Sequence, residues 1–164
     1  MFNCLVRSRL EYAVLIWAPI YRKYTYQIET VLSRYTKCKY FRENGVYLWH
    51  CRNYLNQYYK LDTLECRRNV ISVMFLYNLV NLLVDNEDLM RYVSIRMPRA
   101  GLRGGISLHC GTARTNCLIQ SPVYRMCRLY NQCCSHLDMF TLSKIEFKKG
   151  VLEAFKRTPD VYFT

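Results

Sequence analysis

The sequence predicts an all-α protein of five to seven helices packed around a central apolar helix at about 62–84, with an irregular Gly/Arg-rich loop at about 95–121. Three observations predict this. Hydrophobic residues make up 51% of the chain and charged residues 22%, enough apolar material for a core and too much for simple disorder. Only 6 Gly and 4 Pro interrupt a chain rich in Leu, Tyr and Arg, which favours helices over a turn-rich barrel. The segment Leu61-Asp62-Thr63-Leu64-Glu65 carries a helix-start signal and leads into a long apolar run. At 164 residues and 19.7 kDa the chain is expected to form a single helical domain over 1–157 with a frayed tail at 158–164.

The elements follow in order. Met1 to Trp17 reads as a helix with Leu5, Leu10, Ala13, Val14 and Trp17 on one face and Arg7 and Glu11 at i,i+4 on the other; Pro19 ends it. A second helix is expected from about Tyr24 to Phe41, with Ile28, Val31, Leu32, Tyr35 and Cys38 as its apolar stripe, stopped by Asn44-Gly45. A short helix is expected over Cys51 to Tyr59. In the central helix Asp62 is the expected cap, with Glu65 reaching back to the cap amide. Between Val70 and Val84 apolar residues occur almost all round, so other helices must surround this one. Asn86-Glu87-Asp88 should cap a short helix to about Tyr92. Gly101, Gly104, Gly105 and Gly111, interleaved with Arg96, Arg99, Arg103 and Arg114, mark a loop with a short strand around Ile106 to His109. Ser121-Pro122 should start a helix to about His136, and a last helix should cover Leu142 to about Phe155.

The formal charge is +12, with 24 Lys and Arg against 12 Asp and Glu, which implies an anionic partner, nucleic acid first and an acidic membrane surface second. The imbalance is concentrated: residues 1–60 alone carry +7. No secretory signal is read at the start, since Arg7, Arg9 and Glu11 interrupt it, and the nearly uncharged stretch Asn69 to Val84 is too short to span a bilayer. An intracellular protein, nuclear or cytoplasmic, with reduced thiols is therefore expected; nine scattered Cys agree with this.

Candidate chemistry is sparse. His109, Cys110, Cys117, Cys127, Cys133, Cys134 and His136 gather late, but no two Cys stand two to four residues apart as in structural zinc sites. Cys127 and Cys134, seven apart, suit a helix's core face instead. His50 beside Cys51 and His109 beside Cys110 lack a third, orienting group. Asp85, Glu87 and Asp88 are better explained by helix capping than by metal-assisted phosphoryl transfer, and Gly101 to Gly105 lacks the Gly-Lys-Ser/Thr of a phosphate-binding loop. No catalytic residue, metal ligand or cofactor is assigned. Basic residues interleaved with aromatics carry more: Tyr21-Arg22-Lys23-Tyr24-Thr25-Tyr26, and Arg34-Tyr35-Thr36-Lys37-Cys38-Lys39-Tyr40-Phe41-Arg42. Their cations could hold phosphates while rings stack on unpaired bases. The tyrosines are expected mainly to pack the helix interface, as Tyr35 does on the apolar stripe.

The order of motifs also resembles a known family. Leu5-Val6-Arg7-Ser8-Arg9-Leu10-Glu11-Tyr12-Ala13, then Trp17-Ala18-Pro19 and Tyr21, is similar to the region just downstream of the polymerase domain in non-LTR retrotransposon reverse transcriptases of the jockey-like group. Ile28-Glu29 with Arg34-Tyr35-Thr36-Lys37, Leu64-Glu65-Cys66-Arg67-Arg68 with Phe75-Leu76-Tyr77, and the closing Ser121-Pro122-Val123-Tyr124-Arg125, Asn131, Asp138-Met139-Phe140 and Phe147-Lys148 follow in that family's order. The resemblance implies a post-palm, thumb-like region of an RNA-directed DNA polymerase, with RNA template and nascent DNA as backbone-contacted partners, and an upstream polymerase domain as a further one. It brings no catalytic site, since the family's Asp-Asp pair is absent. Asn69, Val70 and Ile71 stand where the family often has an acidic residue, which fits a decayed element fragment without activity of its own, and exposed tyrosines and apolar surface would fit a protein-interaction fragment. On charge and resemblance together, Arg7, Arg9, Arg22, Lys23, Arg34, Lys37, Arg67 and Arg68 are the candidate nucleic-acid contacts, and no membrane partner is expected.

Overall fold

The computed structural model describes residues 2–19, 21–49, 51–96 and 107–157. It is mostly helical, as the composition requires, with one two-stranded antiparallel ribbon. Among the described residues, nine α-helical runs replace the five to seven expected, because several are single turns. The chain divides into two compact units, Met1–Arg68 and Asn69–Thr164, where the sequence suggested one domain.

In the first unit a π-helical segment, Phe2–Arg7, continues into α1 (Ser8–Glu11). Ala13 then takes a left-handed conformation, φ 50°, and α2 (Val14–Trp17) follows. The expected single helix to Trp17 is thus broken in two. The break puts its predicted face out of phase: Val14 is buried, whereas Leu5 and Trp17 are exposed. The Trp17 indole N–H donates to the Tyr12 carbonyl across the break, at 2.6 Å.

α3 (Arg22–Asn44) is the long helix of this unit, and Gly45 ends it at φ 70° with its N–H on the Phe41 carbonyl, as Asn44-Gly45 predicted. Its buried residues are Thr25, Glu29, Leu32, Ser33 and Thr36. The buried stripe is therefore rotated from the predicted one; Ile28 and Tyr35 stay at its edge, and Val31 and Cys38 face solvent. A polar stripe can be buried here because its hydroxyls bond to the helix itself: Thr36 Oγ1 donates to the Ser33 carbonyl at 3.1 Å and Thr25 Oγ1 to that of Tyr21 at 3.5 Å. Phe2, Leu32 and Leu64 form a small apolar core, with Leu10, Ile28, Tyr35 and Leu61 around it, and the Phe2 and Tyr35 rings stack at 4.0 Å. α4 (Arg52–Tyr58), close to its expected place, packs against α3 and buries Leu55.

α5 (Leu64–Val80) spans the division between the units. Its cap is Thr63, whose Oγ1 accepts from the Cys66 N–H at 3.1 Å, one residue later than the Asp62 expected. The Glu65 N–H donates to the carboxylate of Glu29 on α3, at 2.6 Å. Arg68 faces the same carboxylate at 3.9 Å.

In the second unit the rest of α5 buries Val73, Leu76 and Leu79 completely, so the expected apolar helix is surrounded in this part. The helix stops at Val80, short of the predicted 84: the Leu83 N–H returns to the Asn78 carbonyl and the Leu82 N–H to that of Leu79, with Leu82 at φ 55°. This is a Schellman termination with leucine where glycine is usual. α4 ends in the same way, with Lys60 at φ 50° and the Leu61 N–H on the Asn56 carbonyl.

α6 (Glu87–Met90) is capped as predicted by Asn86, whose side-chain oxygen accepts from the Leu89 N–H. β1 (Val93–Arg96), which the sequence does not predict, pairs antiparallel with β2 (Ser107–Cys110), Val93 opposite Cys110 and Arg96 opposite Ser107. The expected strand at Ile106 to His109 corresponds to β2. The part of the expected Gly/Arg-rich loop at 97–106, with Arg99, Gly101, Arg103, Gly104 and Gly105, lies outside the described residues, as does the expected frayed tail. Beyond β2, α7 (Asn116–Ile119) occupies part of that loop. α8 (Pro122–Leu129) starts at the predicted proline and passes into a π-helical turn, Tyr130–Cys134. Ser121 precedes the helix without a side-chain cap bond.

α9 (Lys144–Arg157) opens on a capping box: Ser143 Oγ donates to Glu146 Oε2 at 2.6 Å, and the Ser143 N–H donates to the same oxygen at 3.1 Å. Gly150 lets α9 close on Leu137, since a Cβ there would meet a Leu137 methyl carbon at 2.9 Å. Asn131 pairs with both backbone groups of Leu108, at 2.9 and 2.6 Å, fixing β2 to the π-helical turn. Tyr77 stacks on Phe147 and donates its hydroxyl to the Leu142 carbonyl.

Glu29→Ala removes both the Glu65 amide's acceptor and Arg68's countercharge. It should cost about 2–4 kcal/mol in chemical denaturation, and Glu29→Gln, which keeps an acceptor, clearly less. Lys60→Gly and Leu82→Gly should each raise the unfolding midpoint. The relief of left-handed strain, about 1–2 kcal/mol, exceeds the added backbone entropy of the unfolded glycine chain, roughly 0.4–1 kcal/mol.

Candidate nucleic-acid interface

The eight predicted cations divide into two groups. Arg7, Arg67 and Arg68 are engaged inside the first unit. Glu11 accepts from Arg7 Nε at 3.0 Å, from Arg67 Nε, and from Arg67 Nη2 at 3.0 Å. One carboxylate thus ties the first helical segment to α5. Arg68 is 4% exposed, and burial draws its guanidinium below the ordinary arginine value while Glu29 opposes that fall. In this structure these three, expected as phosphate contacts, face carboxylates of their own unit. Their sequence pattern, Arg-Arg on a helix, could not show that two carboxylates from other helices meet them.

Arg9, Arg22, Lys23, Arg34 and Lys37 keep the candidate role. Arg9 is exposed on α1, and the other four belong to α3. At about 100° per residue, Lys23, Tyr26, Thr30, Arg34, Lys37 and Phe41 fall on one stripe of α3. Both acids of α3 lie off this stripe: Glu29 is on the buried side, and Glu43 accepts from the Tyr59 hydroxyl at 2.6 Å. The stripe is therefore cationic and aromatic with no acid of its own helix in it. Arg22 lies one step round the helix from Lys23.

The expectation that the tyrosines pack inward holds for Tyr35 and fails for Tyr21, Tyr24 and Tyr26, which are exposed. More aromatics join them from the segment after Gly45. Lys37 Nζ donates to the Trp49 carbonyl at 2.5 Å, which draws that segment to the stripe. Tyr47 contacts Trp49 edge-on at 4.9 Å and Phe41 at 6.3 Å. Arg52 lies over the Tyr26 ring, 4.8 Å from its centroid. Sequence reasoning misses Tyr47, Trp49 and Arg52. The crowding of aromatics over 46–59 is their one signal, and it does not show which element they join.

Comparison with protein-family models, with curated proteins and with solved structures finds no match to this chain.

Among the described residues, no group of three or more His, Cys, Asp or Glu is placed to hold a metal ion, and no helix is long and apolar enough to cross a membrane. All nine cysteines are free thiols. Cys127 and Cys134 lie in the core, as their spacing suggested. Burial pushes the Cys134 thiol up to about 12. The Cys127 thiol is also driven up, first by its hydrogen bond to Cys110 and then by burial. Thiols held protonated in this way are poor nucleophiles and poor metal ligands.

Burial raises the pKa of Glu11, but the hydrogen bonds and charges of Arg67 and Arg7 outweigh it, and the net value falls below the ordinary 4.5. The carboxylate's contribution to stability is full above that value and is lost as pH falls through the lower folded one. Glu11→Gln should therefore cost about 1 kcal/mol at neutral pH, and the gap between wild type and variant should close as the pH falls below the ordinary 4.5. Denaturant midpoints measured across that fall in pH check this.

Proposed function

We propose that this chain is a non-catalytic nucleic-acid-binding module that holds phosphates through Arg9, Arg22, Lys23, Arg34 and Lys37. The observation that carries the reading is the acid-free stripe of α3, on which Lys23, Arg34 and Lys37 stand with the rings of Tyr26 and Phe41. Cations on a rigid helix can neutralise successive phosphates and release counterions without reading sequence. The net charge of +12 adds long-range attraction for the same partner.

The motif order supports a parent of one kind: an RNA-directed DNA polymerase of a non-LTR mobile element. In it this chain would be the helical region after the palm, touching RNA template and nascent DNA while the chemistry is done upstream. A second reading, a protein-docking fragment, draws support from exposed apolar side chains such as Tyr12, Ile16 and Ile145.

The test is binding of a labelled RNA–DNA hybrid across a salt series. Affinity should fall steeply with salt. Arg34→Ala combined with Lys37→Ala should weaken binding and flatten the log–log slope by about 2, one unit for each phosphate no longer neutralised. A flat salt dependence, or no binding at low salt, overturns the reading. Self-association of the chain in size-exclusion chromatography, together with such a failure, supports the docking alternative.

A further inference from the structure

We propose that the face formed by Tyr26, Lys37, Phe41, Tyr47, Trp49 and Arg52 is a stacking platform for unpaired nucleobases, so that the chain prefers a single strand to a duplex. This rests on the nucleic-acid reading above and makes it more specific.

Phosphate binding alone needs cations, and rings left in water beside them are unexplained by it. Here the rings are large and open: Trp49 is 73% exposed and Tyr26 63%. They are also held in place. The Trp49 backbone carbonyl accepts from Lys37, Tyr47 packs between Trp49 and Phe41, and the Arg52 guanidinium covers one face of Tyr26. A ring fixed by its backbone or its edge keeps a face free for a base, and a planar guanidinium offers a second stacking surface. From Tyr26 to Phe41 the stripe runs 15 residues, about 22 Å of helix. Arg34 and Lys37 lie along it, within the span that a strand would follow. Cations and rings on one face suit a single strand, whose bases can leave one another to stack on protein while its phosphates meet the charges. A duplex keeps its bases stacked inside and offers such rings nothing. Charge complementarity separates this occupant from an apolar protein segment, which would gain nothing from Arg34 and Lys37.

The experiment uses the full chain with labelled oligothymidylate, labelled oligouridylate and a duplex of the same length, at one low salt concentration. The single strands should bind at least about tenfold more tightly than the duplex. Tyr26→Ala with Trp49→Ala should remove most of that difference, a loss of about five- to a hundredfold for the single strands and little for the duplex. A second measurement does not depend on those substitutions folding. The chain has two tryptophans, so Trp17→Phe leaves Trp49 as the only one, and its fluorescence should be quenched by the single strand and not by the duplex. The two single-strand arms show whether the platform takes the DNA or the RNA strand more tightly. Equal binding of strand and duplex without quenching, but with the expected salt slope, overturns the platform and leaves phosphate binding standing. Absence of binding to every probe overturns both. A change of oligomeric state in the Tyr26, Trp49 variant, without a change in strand affinity, assigns the face to protein docking and overturns the platform.

Discussion

Glu29 is a carboxylate buried on a long helix, and a buried charge is tolerated only where hydrogen bonds and countercharge meet it. Both are supplied by the start of α5. The Glu65 amide, one of the four N–H groups that a helix start leaves without an internal partner, donates to Glu29, and the Arg68 side chain faces the same carboxylate. The interaction fixes two things together. It sets which side of α3 is turned inward, and it settles where α5 begins relative to α3. The small apolar core of Phe2, Leu32 and Leu64 then closes over the same junction.

The inward turn of α3 determines the character of its outer face. With Glu29 buried and Glu43 engaged by Tyr59, the outer stripe retains its cations and rings without an acid to cancel them. Glu11 has a parallel effect one residue along α5, at Arg67. By holding Arg7 and Arg67 it consumes two positive charges in structure, and Arg68 is consumed by burial. The unit's acids thus sort its basic residues. Those near a carboxylate become struts, and those on the far side of α3 lie where an anion can reach them.

The limits of legibility follow from the same physics. Helix ends governed by local chemistry are readable: Gly45 after Asn44, Asn86 before Glu87, and Pro122 at the start of its helix. Ends governed by backbone hydrogen bonds alone are not. Leu82 and Lys60 close their helices in a left-handed conformation that their side chains do not favour. The orientation of α3 departs from the expected one by part of a turn, because a stripe of Thr, Ser and Glu looks exposed unless the partners of each polar group are known. The site is half legible. Arg34 and Lys37 stand out by their spacing, while Trp49 and Arg52 come to α3 through a hydrogen bond and a ring contact between segments far apart in the chain.

The amino-acid sequence by itself determined the helical class, the excess of positive charge in the first third, the burial of Cys127 and Cys134 and the approximate extent of the longer helices. Each of these follows from composition or from periodicity within one element, and needs no knowledge of what the element packs against. Only the tertiary structure decided which arginines are struts and which face solvent, where the first helix breaks, that the chain forms two compact units, and that tyrosines expected inside lie on the surface. Those outcomes depend on pairings such as Glu11 with Arg67 and Glu29 with the start of α5. A charge's role is set by the partner that reaches it, and that partner is brought by the fold from a distant part of the chain.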